Sequence, residues 1–347
     1  MKIPAPLAKV TRGGLTESIH RGHFAVVRPD GALLDSLGDP DFPTFLRSAA
    51  KPFQTVPVVE EGAAARFGFT EPELAVMCGS HSGQDFHVEA VRSILTKAGV
   101  GVEALECGVH RPSHRPTAKA LADRGEAPSP LHNNCSGKHA AMLALCAHKG
   151  WPVEGYIEPG NPVQLLIRRY VAECCGTTPD ELGIGVDGCG VPVFRAPLRS
   201  VARGFASFAW PEGNPALSRE RISAIRTLMR SCLDNPEMVA GDERICTEAM
   251  RAAPGRVIAK TGAEASYGIA FIDAGVGVAF KVEDGNMRAL EPIVVELMLR
   301  MGTISEEEAA PLSRFRRVSI KNHRRETVGL IEAIIDWRGL DRPDKKR

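Results

Sequence analysis

Apolar and polar residues alternate near both ends of this chain and recur at helical spacing through its middle. Residues 23–27 and 32–34 are apolar runs on either side of Arg28-Pro-Asp-Gly31, and a Pro-Asp-Gly turn in that setting predicts a hairpin ahead of residue 48. A second alternation, 267–272 and 276–282 about an Asp-Ala-Gly turn, predicts another hairpin, with Lys260 at the end or edge of a neighbouring strand. Between them, helical periodicity covers 86–98, 162–174, 218–231 and 242–251. A loop from Asn133 feeds an apolar helix ending near Cys146, and a last helix is predicted over 292–301. The small-residue stretch 78–84 reads as a loop, 187–192 as a tight turn, and the Pro-, His- and Arg-rich stretch 111–130 as a long irregular connection. The pattern therefore predicts the α+β class. An antiparallel sheet is built from about 1–47 and 255–347, packed with a helical region over about 48–254, in one unit spanning 1–347.

Composition narrows the setting. With 347 residues, 44% hydrophobic and 24% charged, the chain can bury a large core. A net charge of +1 argues against nucleic-acid and membrane-surface partners, which ask for a clustered basic excess. The locally basic stretch 312–325 reads as a solvated face. Residues 1–10 lack a signal-peptide pattern, and no apolar run reaches the roughly 20 residues that span a bilayer, so the expected location is cytoplasmic. Nine cysteines, an odd count without framework spacing, agree with reduced thiols there.

Three short motifs suggest chemistry. Ser48-Ala-Ala-Lys51, Ser80-His81-Ser82 and Lys260-Thr261-Gly262 follow the order S-x-x-K, S-D-N, K-T-G found in penicillin-binding proteins and class A β-lactamases, the middle one only approximately. A serine hydroxyl needs a base to become a nucleophile, and a three-residue spacing sets Ser48 and Lys51 on one helix face. Lysine serves as a base only when neutral, which asks its pKa to fall from about 10.4 toward about 7 to 8, a shift of roughly 3 to 5 kcal/mol. A second cation nearby would help, and Lys260 is the candidate. Pro52 lacks an N–H and is tolerated only in a first turn, so the helix should start close to Ser48. Taken alone, an S-x-x-K tetrapeptide is equally a helix cap with a solvated lysine.

A second constellation combines Cys135-Ser-Gly-Lys138 with Asp187-Gly-Cys189. Two thiolates with a third group can bind zinc, although buried apolar cysteines are the commoner outcome, and Cys135 paired with His139 as a nucleophile is a further alternative. His110 and His114 read as loop residues.

Taken together, Arg47-Ser-Ala-Ala-Lys-Pro-Phe53, Cys78-Gly-Ser-His-Ser-Gly83, Cys135-Ser-Gly-Lys-His-Ala-Ala-Met142, Asp187-Gly-Cys-Gly-Val-Pro192 and Lys260-Thr-Gly262 closely resemble the rhizobial-type L-asparaginases, the asparaginase II family. That resemblance implies a serine β-lactamase/penicillin-binding-protein-like fold, a homodimer, and hydrolysis of L-asparagine to L-aspartate and ammonia. It implies Ser48 as nucleophile, Lys51 as its base, and Ser80 with Lys260 as a second Ser-Lys pair. It further implies Zn2+ at Cys135, Lys138 and Cys189, modulating substrate binding rather than supplying the nucleophile. Asp187 would contact the substrate amine, and Arg47 and His139 its α-carboxylate, for which the Arg fork is suited. Alternatives are another β-lactamase-like amidase or esterase, or a thiol-rich zinc-binding or redox-sensing protein.

Overall fold

The computed structural model describes residues 2–340. Its strands are β1 (Ala5–Arg12), β2 (Leu15–Val27), β3 (Leu33–Leu37), β4 (Pro43–Phe45), β5 (Gly183–Val186), β6 (Pro192–Pro197), β7 (Val257–Gly262), β8 (Ser266–Phe271), β9 (Val276–Val282), β10 (Arg317–Lys321) and β11 (Thr327–Ala333). The large sheet is antiparallel in the order β10-β11-β1-β2-β9-β8-β7, with β3 also paired to β2. Its strands come from both chain ends and the helices lie between, which is the α+β arrangement the sequence predicts. A three-stranded sheet, β4-β6-β5, stands apart from it.

Both predicted hairpins form, β2–β3 and β8–β9. Elements beyond the prediction include β1, joined to β2 by the left-handed pair Gly13-Gly14, the β10–β11 hairpin at the sheet's far edge, strands β5 and β6, and the helix Leu198–Ala209. Strand β10 alternates exposed and half-buried residues, so its basic side chains are indeed solvated while its backbone completes the sheet. The stretch expected to be irregular contains a helix, Arg115–Asp123. Pro116 fits its first turn, the His114 ring accepts from the Thr117 N–H, and only Ala118 and Leu121 are buried, too sparse a stripe to announce a helix.

One helix organises the interior. Lys51–Glu60 follows a 3-10 turn over Arg47–Ala50, and Pro52 occupies its first turn, where no N–H is needed. Residues 51 to 58 are all buried, because helices Glu71–Cys78, Ser136–Lys149, Pro162–Cys175 and Arg219–Asp234 pack around it. Phe53 reaches the helix Leu198–Ala209, its ring 5.1 Å from that of Phe205 and 5.6 Å from that of Phe208. Truncating such a residue to alanine costs about 3 to 5 kcal/mol. Leu198–Ala209 in turn lies on β9, β2 and β8, and a Cβ on Gly277 would fall 2.0 Å from the Ala202 carbonyl oxygen, so the close approach requires glycine. The central helix is thereby fixed against the sheet, and its first residue, Lys51, is held where β7 ends. All nine cysteines are free, and among the described residues no helix is long and apolar enough to cross a membrane.

Candidate active site

The backbone sets the site before any side chain acts. The Leu46 N–H bonds to the Phe194 carbonyl of β6 at 2.9 Å, and the next residue, Arg47, has φ +50°. A non-glycine residue in the left-handed region is strained, and such strain gathers at functional sites. It turns the chain sharply from β4 into the Arg47–Ala50 turn, leaving Ser48 half-buried at the wall of a cavity of ≈ 240 Å³. Arg47, Asp187, Cys135 and Cys189 line the same cavity, as do His110, Asn133, Asn134, Gly188 and Ala263. A larger hollow of ≈ 480 Å³ lies elsewhere, lined by Glu296, Ser313, Arg316, Arg317, Glu332 and Ala333, and its four charged residues are ion-paired with one another.

Two lysines, one of them three residues after Ser48, are almost wholly out of water. Lys51 is 0% exposed and Lys260 1%. Lys51 Nζ donates to Ser80 Oγ at 2.9 Å and to the Asn134 carbonyl at 3.0 Å; Lys260 Nζ donates to Ser80 Oγ at 2.8 Å and to the Thr261 carbonyl at 2.8 Å. The loop carrying Ser80 is pinned in turn, by the Ser80 N–H to the Val239 carbonyl and by Ser82 Oγ to the Ala240 carbonyl. Two ammonium groups sharing one hydroxyl sit within roughly 6 Å, and at an effective dielectric of about 20 they repel by about 3 kcal/mol. Burial, then Lys51, push the Lys260 ammonium down to about 7; burial likewise lowers Lys51, with Lys138 adding to the shift and the Cys135 thiolate opposing it. One of the pair is therefore ready to be neutral near pH 7, the property a lysine base needs.

Across the cavity, Cys135 and Cys189 are hydrogen-bonded to each other, and Lys138 Nζ is 3.1 Å from Cys189 Sγ. The bond from Cys189 holds the Cys135 sulfur well below the usual thiol range against the effect of burial, aided by Lys51 and Lys138, and Cys189 keeps the proton. Burial instead pushes Cys107 up to about 11 and Cys146 up to about 12, the mark of inert packing thiols. Two soft sulfurs and an amine that converge beside an open cavity fit a three-donor zinc site with one open position. Among the described residues, no third His, Cys, Asp or Glu joins them.

Arg47 Nε donates to Asp187 Oδ1 at 2.9 Å. The Gly188 N–H caps the same oxygen at 2.9 Å, and the Gly190 N–H closes the turn onto the Asp187 carbonyl. Burial raises the Asp187 carboxyl, but Lys138 and Arg47 outweigh it and hold it below its ordinary range. The cavity wall thus carries one cation and one anion side by side. His139, expected at the substrate carboxylate, stands elsewhere: it is 0% exposed and does not line the cavity. Its Nδ1 is 2.6 Å from the Tyr156 hydroxyl, and burial, with Lys138 and Lys51, keeps the ring neutral. The structure therefore brings together nine of the ten residues singled out in the sequence and sets His139 one layer back. His110, Asn133, Asn134 and Ala263 went unread. The signal for two of them was position alone, since Asn133-Asn134 directly precede Cys135.

Among solved structures, the chain is similar to a putative beta-lactamase from Bacteroides dorei, at 14% identity and a TM-score of 0.39, over 79% of this chain and 92% of that one. It is also similar to Mglu in its glutamate form, at 16% identity and a TM-score of 0.37, over 82% of this chain and 61% of that one. Likenesses this distant carry no argument about mechanism. No curated protein matches. The family model for L-asparaginase II matches residues 8–333, nearly the whole chain and every residue of the cavity. The chain belongs to the L-asparaginase II family and is an amidohydrolase of the asparaginase type.

Proposed function

We propose that the protein hydrolyses the side-chain amide of L-asparagine to L-aspartate and ammonia through a Ser48 acyl-enzyme. The observation that carries this reading is the Ser80 hydroxyl held between Lys51 and Lys260, two buried lysines with no carboxylate partner among the described residues, with Lys51 also bonded to Asn134, which lines the cavity beside Ser48. A zwitterionic amino acid suits the opposite wall, where Arg47 and Asp187 exchange their mutual ion pair for the substrate's α-carboxylate and α-ammonium. Neutral Lys51 takes the Ser48 proton, Ser48 Oγ attacks the side-chain amide carbon, and N–H groups at the Arg47–Ala50 turn hold the oxyanion. The proton passes through Ser80 and Lys260 to the departing nitrogen, which leaves as ammonia. Water then cleaves the aspartyl ester by the reverse relay, releasing L-aspartate and regenerating Ser48.

Cys135, Cys189 and Lys138 would hold Zn2+, with Lys138 giving up its proton to coordinate. When bound, the ion adds positive charge to the cavity wall and so favours an anionic or carbonyl group of the substrate. The family resemblance supports a homodimer working in the cytoplasm. The deciding experiment is ammonia release from L-asparagine, with L-glutamine alongside, by wild-type protein and Ser48→Ala, with and without zinc. Asparagine-selective release that falls below a few per cent in Ser48→Ala is the expected result. Turnover of a β-lactam or an ester with no ammonia from asparagine would move the activity to another amidase or esterase.

A further inference from the structure

We propose that Asn133 is a positioning residue for the Lys51 base, acting through the single peptide group that joins Asn134 to Cys135. That peptide offers its two polar ends to two different side chains. Its carbonyl, on Asn134, accepts from Lys51 Nζ at 3.0 Å, and its N–H, on Cys135, donates to Asn133 Oδ1 at 2.8 Å. The preceding peptide is held by other groups. Its carbonyl, on Asn133, accepts from the Ser136 N–H at 2.9 Å, and its N–H, on Asn134, donates to His110 Nε2 at 2.8 Å. The direction in which a carbonyl meets Lys51 is therefore set by the Asn133 carboxamide.

The carboxamide has only one way to lie. Its Nδ2 is 2.8 Å from the Cys107 carbonyl and 3.2 Å from the Gly108 carbonyl, and because carbonyls only accept, the NH2 end faces them and Oδ1 faces the Cys135 N–H. Both amide hydrogens are spent on main chain. Although Asn133 lines the cavity, its side chain has no donor left for a substrate. An asparagine oxygen on the N–H two residues ahead is a common local turn, but here the far end of the same amide anchors that turn to a loop 25 and 26 residues away. Asn133 and Cys135 are each 5% exposed. Without Oδ1, the Cys135 N–H becomes a buried donor in need of a partner; as its peptide rotates to find one, the carbonyl at the other end swings off Lys51. Lys51 Nζ then keeps only Ser80 Oγ. The predicted defect lies in base placement, not in substrate capture.

This inference rests on the Ser48 acyl-enzyme reading, and its test separates the two. Asn133→Leu keeps the bulk and Asn133→Ala avoids any clash, both without an acceptor; Asn133→Ser keeps an oxygen that closes the same turn. Rates are taken per folded molecule, from melts on the same preparations. The expected result is a fall in kcat for ammonia release of about 10- to 100-fold in the leucine and alanine variants, with KM within about twofold, and recovery to within about fivefold of wild type in Asn133→Ser. The variants are also ranked by the rate at which a fluorophosphonate probe labels Ser48, located by peptide mass spectrometry, a readout that needs no amino-acid substrate. Wild type and Asn133→Ser should label fast, the other two slowly. If wild type labels at Ser48 but releases no ammonia from asparagine, the substrate assignment fails while that labelling order still supports the Asn133 role. Equal labelling in all four proteins, a loss confined to KM, Asn133→Ser as slow as Asn133→Ala, or no labelling of Ser48 in wild type would overturn it.

Discussion

Two buried cationic clusters lie in this molecule, and they are built in opposite ways. Arg221 is surrounded by compensation: its guanidinium bonds to Glu60 and, at 2.8 Å, to Glu173, and lies 3.6 Å over the Tyr170 ring. Burial disfavours its charge, yet Glu60 and its neighbours hold its pKa above the ordinary value. Lys51 and Lys260 are buried more completely, and their hydrogen-bond partners are one hydroxyl and two carbonyls, with the Cys135 thiolate offsetting only part of the effect of burial on Lys51. Their charge is destabilised rather than satisfied. Arg221 ties helices Lys51–Glu60, Pro162–Cys175 and Arg219–Asp234 together, as a structural charge should. A pair of lysines kept short of counter-charge is a cost the fold carries for chemistry.

The contrast can be broken from either side. The largest effect should come from Lys51→Met and Lys260→Met, each lowering kcat on the order of 10³-fold or more, with Tm unchanged or a few degrees higher because an uncompensated charge has gone. Assays of ammonia release and thermal melts on the same preparations read both halves. Arg221→Met should do the reverse. Leaving the half-buried Glu60 without Arg221 costs about 3 kcal/mol, seen as a lower denaturation midpoint, while kcat per folded molecule stays within about twofold.

A smaller effect is expected at the cavity wall. Asp187→Ala should raise KM for asparagine by roughly 10- to 100-fold with a lesser change in kcat, because it removes ground-state binding of the ammonium. Smaller still is the pH response. Because Lys260 must accept and release the relayed proton, kcat/KM rises with pH through about 7, and Lys260→Arg, which keeps the charge but cannot deprotonate, stays inactive across that range. Stability carries the same sign. The folded pKa lies below the unfolded value, so the unfolded chain binds the extra proton between about 7 and 10.5 and stability rises over that window. Below it, the contribution is flat. Denaturant midpoints between pH 7 and 10 should climb in wild type and climb less in Lys260→Met.

Much of this was readable in the chain because its carriers are local. The Pro-Asp-Gly turn, the alternation across β8 and β9, and Pro52 in a first turn each act over a few residues, and the sheet built from both chain ends follows from them. Several elements that went unread depend on distant partners: β1 and β11 each have a neighbouring strand but join the sheet through their mutual pairing across the closed chain, and Arg115–Asp123 buries just two side chains. The site divides the same way. Ser48, Lys51 and Cys135 stand in motifs, whereas His110 joins the cavity wall beside the Asn134 N–H, 24 residues away, a contact that no spacing announces. His139 misled because it adjoins Lys138 in sequence, while the helix turns its ring toward Tyr156 instead of the cavity.

The central claim is that the two undercompensated lysines serve a covalent step at Ser48. The most direct test is mass spectrometry of protein quenched during turnover of L-asparagine, using Ser80→Ala to slow the breakdown of the ester. An aspartyl adduct on the peptide carrying Ser48, absent from Ser48→Ala, is the predicted result. Ammonia release with no adduct, or an adduct on Cys135 in place of Ser48, would contradict it.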